Sequence, residues 1–393
     1  MKKVFLFSLF LVLGLVLSQC LPVWLGEAFL TAEKVAKTLM FVCLAFIMIN
    51  VGREFELDKT KWRSYAADYF IAMATAAVPW IMVAFYYMFL LPADLFGNWD
   101  AWKENLLLSR FAAPTSAGIL FTMLAAAGLR REWIYKKTQV LAIFDDLDTI
   151  LLMIPLQIFM IGFKWQLFAV VIVITFLLVI GWKKLGTIRL SQTWKSILFY
   201  AVCIVAVTES IYLLTKWMMG ADGAIHIEVL LPAFVLGMVM KTVHQHGNRD
   251  EKITGMISYL FMFLVGLSTP QFIGIDHGHR ITEAVGIIAA QPMPSREVLI
   301  VHVIVVTLLS NLGKMFPLFF YRDRQLEERL ALSVGMFARG EVGAGIIVIA
   351  MGYNLGGPAL IISVLSLVLN LLLTGGFVVI VKRLAQQAYG LKE

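Results

Sequence analysis

The stretch Phe144-Asp145-Asp146-Leu147-Asp148 sets three carboxylates inside an apolar run that is otherwise long enough to cross a membrane. An aspartate near the middle of a membrane helix costs about 2.5–3.5 kcal/mol on insertion scales, so such residues face a wet cavity or a partner and mark ion or proton pathways. The plainer explanation is a carboxylate that only ties two helices together. Two adjacent acids, a third one turn after Asp145 and an intramembrane lysine elsewhere in the chain favour a working site.

Outward from this stretch, the chain is 393 residues long and 60% hydrophobic, with a mean hydropathy of +0.83. That is too apolar for a soluble globular domain. Apolar runs of about 20 residues alternate with short charged loops, the length an α-helix needs to span a bilayer, and β-barrel alternation is absent. The fold class is therefore an all-α polytopic membrane protein forming one transport domain over residues 1–393. The spacing predicts about twelve spans, at roughly 3–20, 33–51, 65–91, 106–128, 139–162, 165–182, 196–215, 226–241, 253–273, 298–320, 329–352 and 358–381. Residues 281–290 are apolar but too short to span, so they read as an interfacial or re-entrant piece, or else as a thirteenth element.

Lys2 and Lys3, followed by an apolar run ending in Leu17-Ser18-Gln19-Cys20, have the look of a secretory or lipoprotein signal. The run is longer than a signal core, lacks an Ala-x-Ala site and carries Gln19 before the cysteine, so it reads as the first span. With the N-terminus in the cytoplasm, 23 of the 33 basic residues fall in cytoplasmic segments and 7 on the opposite side. By the positive-inside rule this predicts an even number of spans with both termini cytoplasmic. The remaining three, Arg110, Lys314 and Arg339, lie within spans.

The net charge of +7 is spread over span ends rather than gathered on a polar face, which argues against a nucleic-acid partner. Cys20, Cys43 and Cys203 have no zinc or disulfide spacing. The six histidines, His226, His244, His246, His277, His279 and His302, sit mostly in or beside loops, and no metal site is expected from them. No soluble nucleotide-binding domain is expected after the last span.

Two spans carry strong helix-breaking signals. Ala113-Pro114-Thr115-Ser116-Ala117-Gly118 combines a proline, two hydroxyls and a glycine, and Arg339-Gly340-Glu341-Val342-Gly343-Ala344-Gly345 combines three glycines with opposed charges. Irregular backbone at membrane depth is tolerated only where it lines a cavity or is buried in protein. Kinked packing helices are the simpler alternative. Interrupted helices in two halves of a transporter point to an ion site at the midplane. The units 65–162 and 298–381 then have opposite orientations, predicting inverted repeats with two crossed discontinuous helices.

Asp145 and Asp146 are consecutive, so on a helix they point about 100° apart and take different partners. Lys314 lies within the tenth span, where a buried lysine needs a carboxylate or must lose its proton. The economical assignment is a bridge from Lys314 to one aspartate, leaving the other for a cation.

The Asp145-Asp146 pair, Gly313-Lys314 and Arg339-Gly340-Glu341-Val342, with Val51-Gly52-Arg53-Glu54-Phe55-Glu56-Leu57 and Leu264-Val265-Gly266-Leu267-Ser268, resemble the bacterial sodium/proton antiporters of the monovalent cation/proton antiporter superfamily, in the branch with an aspartate pair and an intramembrane lysine. The resemblance covers nearly the whole chain. It implies a homodimer in the bacterial inner membrane. In each protomer a core of the two repeat units moves like an elevator against a scaffold made of residues 1–51 and 165–273. It makes Asp146 the main carboxylate for Na⁺ and protons and Asp145 the partner of Lys314. Thr115 and Ser116 would help complete the ion shell, and Arg339 and Glu341, with Pro114 and Gly340 at the breaks, would be structural or gating. It implies electrogenic exchange of sodium or lithium for protons, with no cofactor and with membrane lipid as surroundings.

Asp148 departs from the pattern as an extra acid that could share a proton with the pair or rearrange the bridge to Lys314. Arg110 and Glu209 read as structural, and Asp68 as solvated at a span end. Potassium/proton or electroneutral exchange remains an open alternative, because ion selection depends on cavity geometry. A sodium-coupled symporter of an organic anion would need a larger cavity and fewer buried acids. An intramembrane aspartyl protease would need its two aspartates on separate helices.

Overall fold

The computed structural model describes residues 2–26, 28–54, 62–161, 166–184, 186–219, 229–240, 248–268, 286–353 and 355–390. Among the described residues there is no β-strand, and most are helical. The helices are α1 (Lys2–Leu25), α2 (Ala28–Glu54), α3 (Trp62–Leu90), α4 (Trp99–Ser109), α5 (Ala117–Ala126), α6 (Trp133–Ile161) and α7 (Gln166–Lys183). They continue as α8 (Trp194–Met219), α9 (Leu230–Val239), α10 (Asn248–Leu267), α11 (Arg296–Gly313), α12 (Leu326–Gly335), α13 (Glu341–Gly352) and α14 (Gly357–Tyr389). Among the described residues six segments are long and apolar enough to cross a membrane, including Trp99–Ala126, Trp194–Met218 and Gly357–Tyr389. This is a multi-pass membrane protein.

Where the expected spans and the helices differ, the cause is local. The fourth span starts earlier than 106, because Asn98 caps α4 by accepting a hydrogen bond from the Asp100 N–H at 2.8 Å. It is also two helices: α4 tightens into a 3₁₀ turn at Arg110–Ala112, and α5 restarts at Ala117. Pro114 has no N–H to continue the ladder. The eleventh span is likewise divided into α12 and α13, with Met336–Gly340 between them. The tenth span reaches Phe319, close to the expected end, but it is not one continuous α-helix: a 3₁₀ turn at Phe316–Phe319 completes it. Its helix α11 stops at Gly313, because the ring of Pro317 would meet the carbonyl of Gly313 in a continued helix. Lys314 therefore sits at the end of a helix rather than well inside one. Of the 281–290 piece, residues 286–290 form turns, and 281–285 lie outside the described residues.

Two helix pairs pack backbone to backbone. On α1 a Cβ at Gly14 would collide with the Phe263 carbonyl of α10, and one at Gly266 with the Leu11 carbonyl of α1. The α2–α9 pair repeats the arrangement, with Gly52 against the Phe234 carbonyl and Gly237 against that of Ile49. Without side chains in the way, each pair gains van der Waals contact along the helix, which in lipid replaces the hydrophobic drive. A second group of helices, α3, α4, α6, α11, α12 and α14, packs around the two interruptions.

Candidate functional site

The two interruptions touch. The Ser116 N–H donates to the Ala338 carbonyl at 2.8 Å and the Thr115 hydroxyl to the Met336 carbonyl at 3.0 Å. Arg339, fully buried, donates from Nη1 to the Pro114 carbonyl at 2.9 Å and from Nη2 to the Ser310 carbonyl at 3.0 Å. Broken helices leave carbonyls without intrahelical partners, and a guanidinium, with five donors in a fixed fork, can satisfy several of them across the break. Gly340 makes the crossing possible, since a Cβ there would stand 2.6 Å from Ile119 Cδ1 and 2.8 Å from Ser116 Oγ. The sequence suggests an Arg339–Glu341 pair. The carbonyls of α11 and of the α4–α5 break hold Arg339, and the side chain of Glu341, on which that pair depends, lies outside the described residues.

α6 passes beside this crossing. The Asp145 carboxylate lies 3.0 Å from Lys314 Nζ through each oxygen, and Oδ2 also accepts the Thr115 N–H at 2.6 Å. Lys314 and Asp145 are both 0% exposed. One residue on, Asp146 is buried on a different side of α6. Asp148 is buried as well, one turn from Asp145, where the Tyr69 hydroxyl faces it. The Thr115 and Ser116 hydroxyls are engaged with the Met336 carbonyl and the Ile119 N–H respectively, the latter as the cap of α5.

Arg110 is the residue that sequence reasoning undervalued. It is fully buried, donates from Nη2 to the Asp148 carbonyl at 3.1 Å and lies 4.6 Å from the centroid of the Trp80 ring. That ring is itself fixed by its indole N–H on the Leu106 carbonyl at 2.7 Å. The signal was present, since Arg110 is a basic residue set inside an expected span rather than in a loop. With it the buried cluster holds, among the described residues, three carboxylates, Asp145, Asp146 and Asp148, and three bases, Lys314, Arg110 and Arg339. Their formal charges cancel.

Other placements bear on the expectations. Asp68 is 1% exposed rather than solvated, with Lys137 Nζ at 2.8 Å and the Tyr321 hydroxyl at 2.7 Å. Tyr321 stands at φ 53°, a left-handed backbone that a side chain rarely adopts. Its burial and the neighbouring Asp68 push the phenol above its ordinary range. Glu104, unmarked in the sequence, is buried and accepts the N–H groups of Ile287 and Ile288 at 3.2 and 3.0 Å. Glu209 is half-buried on α8 without a partner among the described residues. His302 accepts or donates at 2.7 Å to the Tyr86 hydroxyl, and the other five histidines lie outside the described residues.

Among the described residues no group of three or more His, Cys, Asp or Glu side chains converges as for a bound metal ion. What the arrangement offers is a second buried carboxylate, Asp146, next in sequence to the Asp145–Lys314 ion pair. In a cluster whose charges already cancel, an added cation leaves an uncompensated charge in a low-dielectric interior unless a proton departs.

No curated protein matches the sequence. The profile of the family described as sodium/hydrogen exchanger, transmembrane, matches residues 2–384, nearly the entire chain. An all-helical membrane protein matched over that length belongs to the sodium/hydrogen exchanger family, a family of cation/proton antiporters rather than enzymes.

Proposed function

We propose that the chain is a secondary active antiporter that exchanges sodium or lithium for protons across a bacterial inner membrane by alternating access, with net charge movement. The observation that carries this reading is the buried Lys314–Asp145 pair with Asp146 as its neighbour. Asp146 takes the cation. The added charge weakens the hold of Asp145 on Lys314, and the cluster returns to neutrality by releasing protons. Asp146, Asp145 and Lys314 thus make cation and proton alternatives for one site, which is what coupling requires. Thr115 contributes its N–H to Asp145, and Arg339 and Gly340 hold the crossing in register. Asp148 is an additional acid in the same charge balance, paired through space with Arg110.

The helix contacts support a repeated architecture. In the pairs α1–α10 and α2–α9, exchanging α1 with α9 and α2 with α10 maps one glycine contact onto the other. The same exchange carries the broken helix α4–α5 onto α12–α13. Residues 65–162 and 298–381 form the moving core, and 1–51 with 165–273 form the scaffold on which a second copy docks. Twelve spans with both termini cytoplasmic fit the distribution of basic residues.

The test is proton flux in proteoliposomes on addition of Na⁺, Li⁺ or K⁺, with the membrane potential free and then clamped. Voltage-sensitive proton movement driven by Na⁺ or Li⁺ is the expected result. Flux with K⁺ alone assigns potassium/proton exchange, and voltage-insensitive flux assigns an electroneutral exchanger. No cation-driven flux in folded protein refutes antiport.

A further inference from the structure

Buried polar side chains that the exchange reading leaves unused form a seam between α11 and α14. Thr307 Oγ1 and Ser366 Oγ meet at 2.9 Å, and one turn further along both helices the Asn311 amide donates from Nδ2 to Asn370 Oδ1 at 3.0 Å. Thr307, Asn311 and Lys314 succeed one another at helical spacing, so the seam follows one face of α11 up to the lysine. The hydroxyl rung is complete, since Thr307 donates to the Val303 carbonyl at 2.7 Å and accepts from Ser366. The amide rung is not. Asn370 is 0% exposed and Asn311 8%, yet Asn311 Oδ1 and Asn370 Nδ2 have no hydrogen-bond partner among the described residues.

Two amides that only tie helices together gain by closing both of their hydrogen bonds, because an orphaned buried group is costly. This pair closes one. The bond it makes fixes which end of the Asn311 amide is spent and leaves the carbonyl oxygen over. Lys314 is placed to use that oxygen. Its backbone N–H closes on the Asn311 carbonyl at 3.0 Å, a tight turn in which side chains three apart eclipse. A long side chain on a helix also leans back over the preceding turn. At present Lys314 Nζ is spent on the two Asp145 oxygens, 3.0 Å each. When a cation on Asp146 loosens that pair, Nζ is 0% exposed and has no water to turn to, so its release needs a second acceptor inside the protein.

We propose that Asn311 Oδ1 is that second acceptor, taking a hydrogen bond from Lys314 Nζ while the cation is bound, and that Asn370 is a positioning residue that holds the Asn311 amide with its carbonyl free. The inference rests on the antiport reading and adds to it the place where Lys314 rests in the cation-loaded state. The move needs only an N–H on Nζ, and no proton changes owner in it.

The test is proton flux in proteoliposomes against sodium concentration, with melting of the same full-length proteins in sodium-free detergent. Asn311→Leu/Asn370→Leu removes both amides as a unit, so no partner is orphaned and the melting temperature stays close to the parent's. Half-saturating sodium rises about tenfold in this variant, the loss expected for one hydrogen bond to a charged group. Asn311→Asp keeps an acceptor for Lys314 but offers no donor to Asn370, and its half-saturating sodium stays at or below the parent value. Were the seam only a tie between helices, the order would reverse: the double leucine variant would exchange like the parent, and Asn311→Asp, with a buried charge facing Asn370 Oδ1, would be the impaired one. Either of those results overturns the proposal. Asn370→Leu alone, which frees the Asn311 amide to turn, raises half-saturating sodium several-fold, and an unchanged value there overturns the positioning role. A parent without cation-driven flux refutes the antiport reading itself, whereas parent-like sodium dependence in the double variant beside a working parent refutes the acceptor alone.

Discussion

Replacing Lys314 by methionine removes one charge from the interior while nearly conserving volume. Lys314 and Asp145 are both 0% exposed, and the ammonium meets both carboxylate oxygens at 3.0 Å. After the substitution Asp145 keeps the Thr115 N–H at 2.6 Å but loses its counter-charge. Removing one partner of a buried ion pair costs about 3–5 kcal/mol, because the other charge stays desolvated. At roughly 1–2 °C per kcal/mol for a chain of this size, the melting temperature should fall by about 3–10 °C. Adding Asp145→Asn to the same chain removes the stranded charge and should restore most of the loss, since a buried pair replaced as a whole is often neutral. Melting curves in detergent for the parent, both single variants and the double variant measure the coupling directly, alongside proton flux in proteoliposomes. A Lys314→Met protein that melts with the parent, or a double variant as unstable as the single one, would refute the energetic reasoning. A single variant with unchanged voltage sensitivity of exchange would refute the assigned role in charge movement.

Asp146→Asn should abolish cation-driven proton movement while leaving the melting temperature within about 1 °C, and sustained exchange in that variant would remove Asp146 from the site. Gly340→Ala places a methyl group 2.6 Å from Ile119 Cδ1 and 2.8 Å from Ser116 Oγ, so it should cost about 1–3 kcal/mol and slow exchange; melting and flux at parent values would contradict the tight crossing. Tyr321→Phe removes a hydrogen bond to the buried Asp68 carboxylate, for a loss of about 1.5–3 kcal/mol. The Tyr321 phenol is held above its ordinary value of 10.0, so the folded state retains its proton longer than the unfolded chain does. Its stabilisation is complete below pH 10 and declines above it, and the phenylalanine variant should lack that alkaline slope in a pH series of melting curves. Arg110→Gln leaves the carboxylates in excess of the bases, so it should shift the pH profile of exchange; an unchanged profile would place Arg110 outside the charge balance.

Much of the backbone plan was legible in the chain because it depends on local chemistry. Clustered breakers mark the interruptions, which stand at Ala113–Ser116 with Pro114 and at Met336–Gly340 with Gly340, whereas the isolated Pro79 and Pro155 lie inside continuous helices. Helix ends were less legible. A capping asparagine at 98 extended α4 past its apolar run, and Pro317 ended α11 inside one. Asp68 looked solvated because it stands near a span end, and its burial depends on Lys137 and Tyr321, which are distant in sequence. That Arg339 holds carbonyls of α11 and of the other broken helix was not legible either, because those carbonyls are distant in sequence.

The sequence alone determined that this chain is helical and resides in a membrane, since long apolar runs must satisfy their own backbone hydrogen bonds in lipid. It also determined which residue types are costly at that depth, and hence where chemistry was to be sought. Only the tertiary structure decided which charge meets which. An ion pair is set by a few ångströms between helices 169 residues apart in the chain, as for Lys314 and Asp145, and neither residue's immediate neighbours encode that distance.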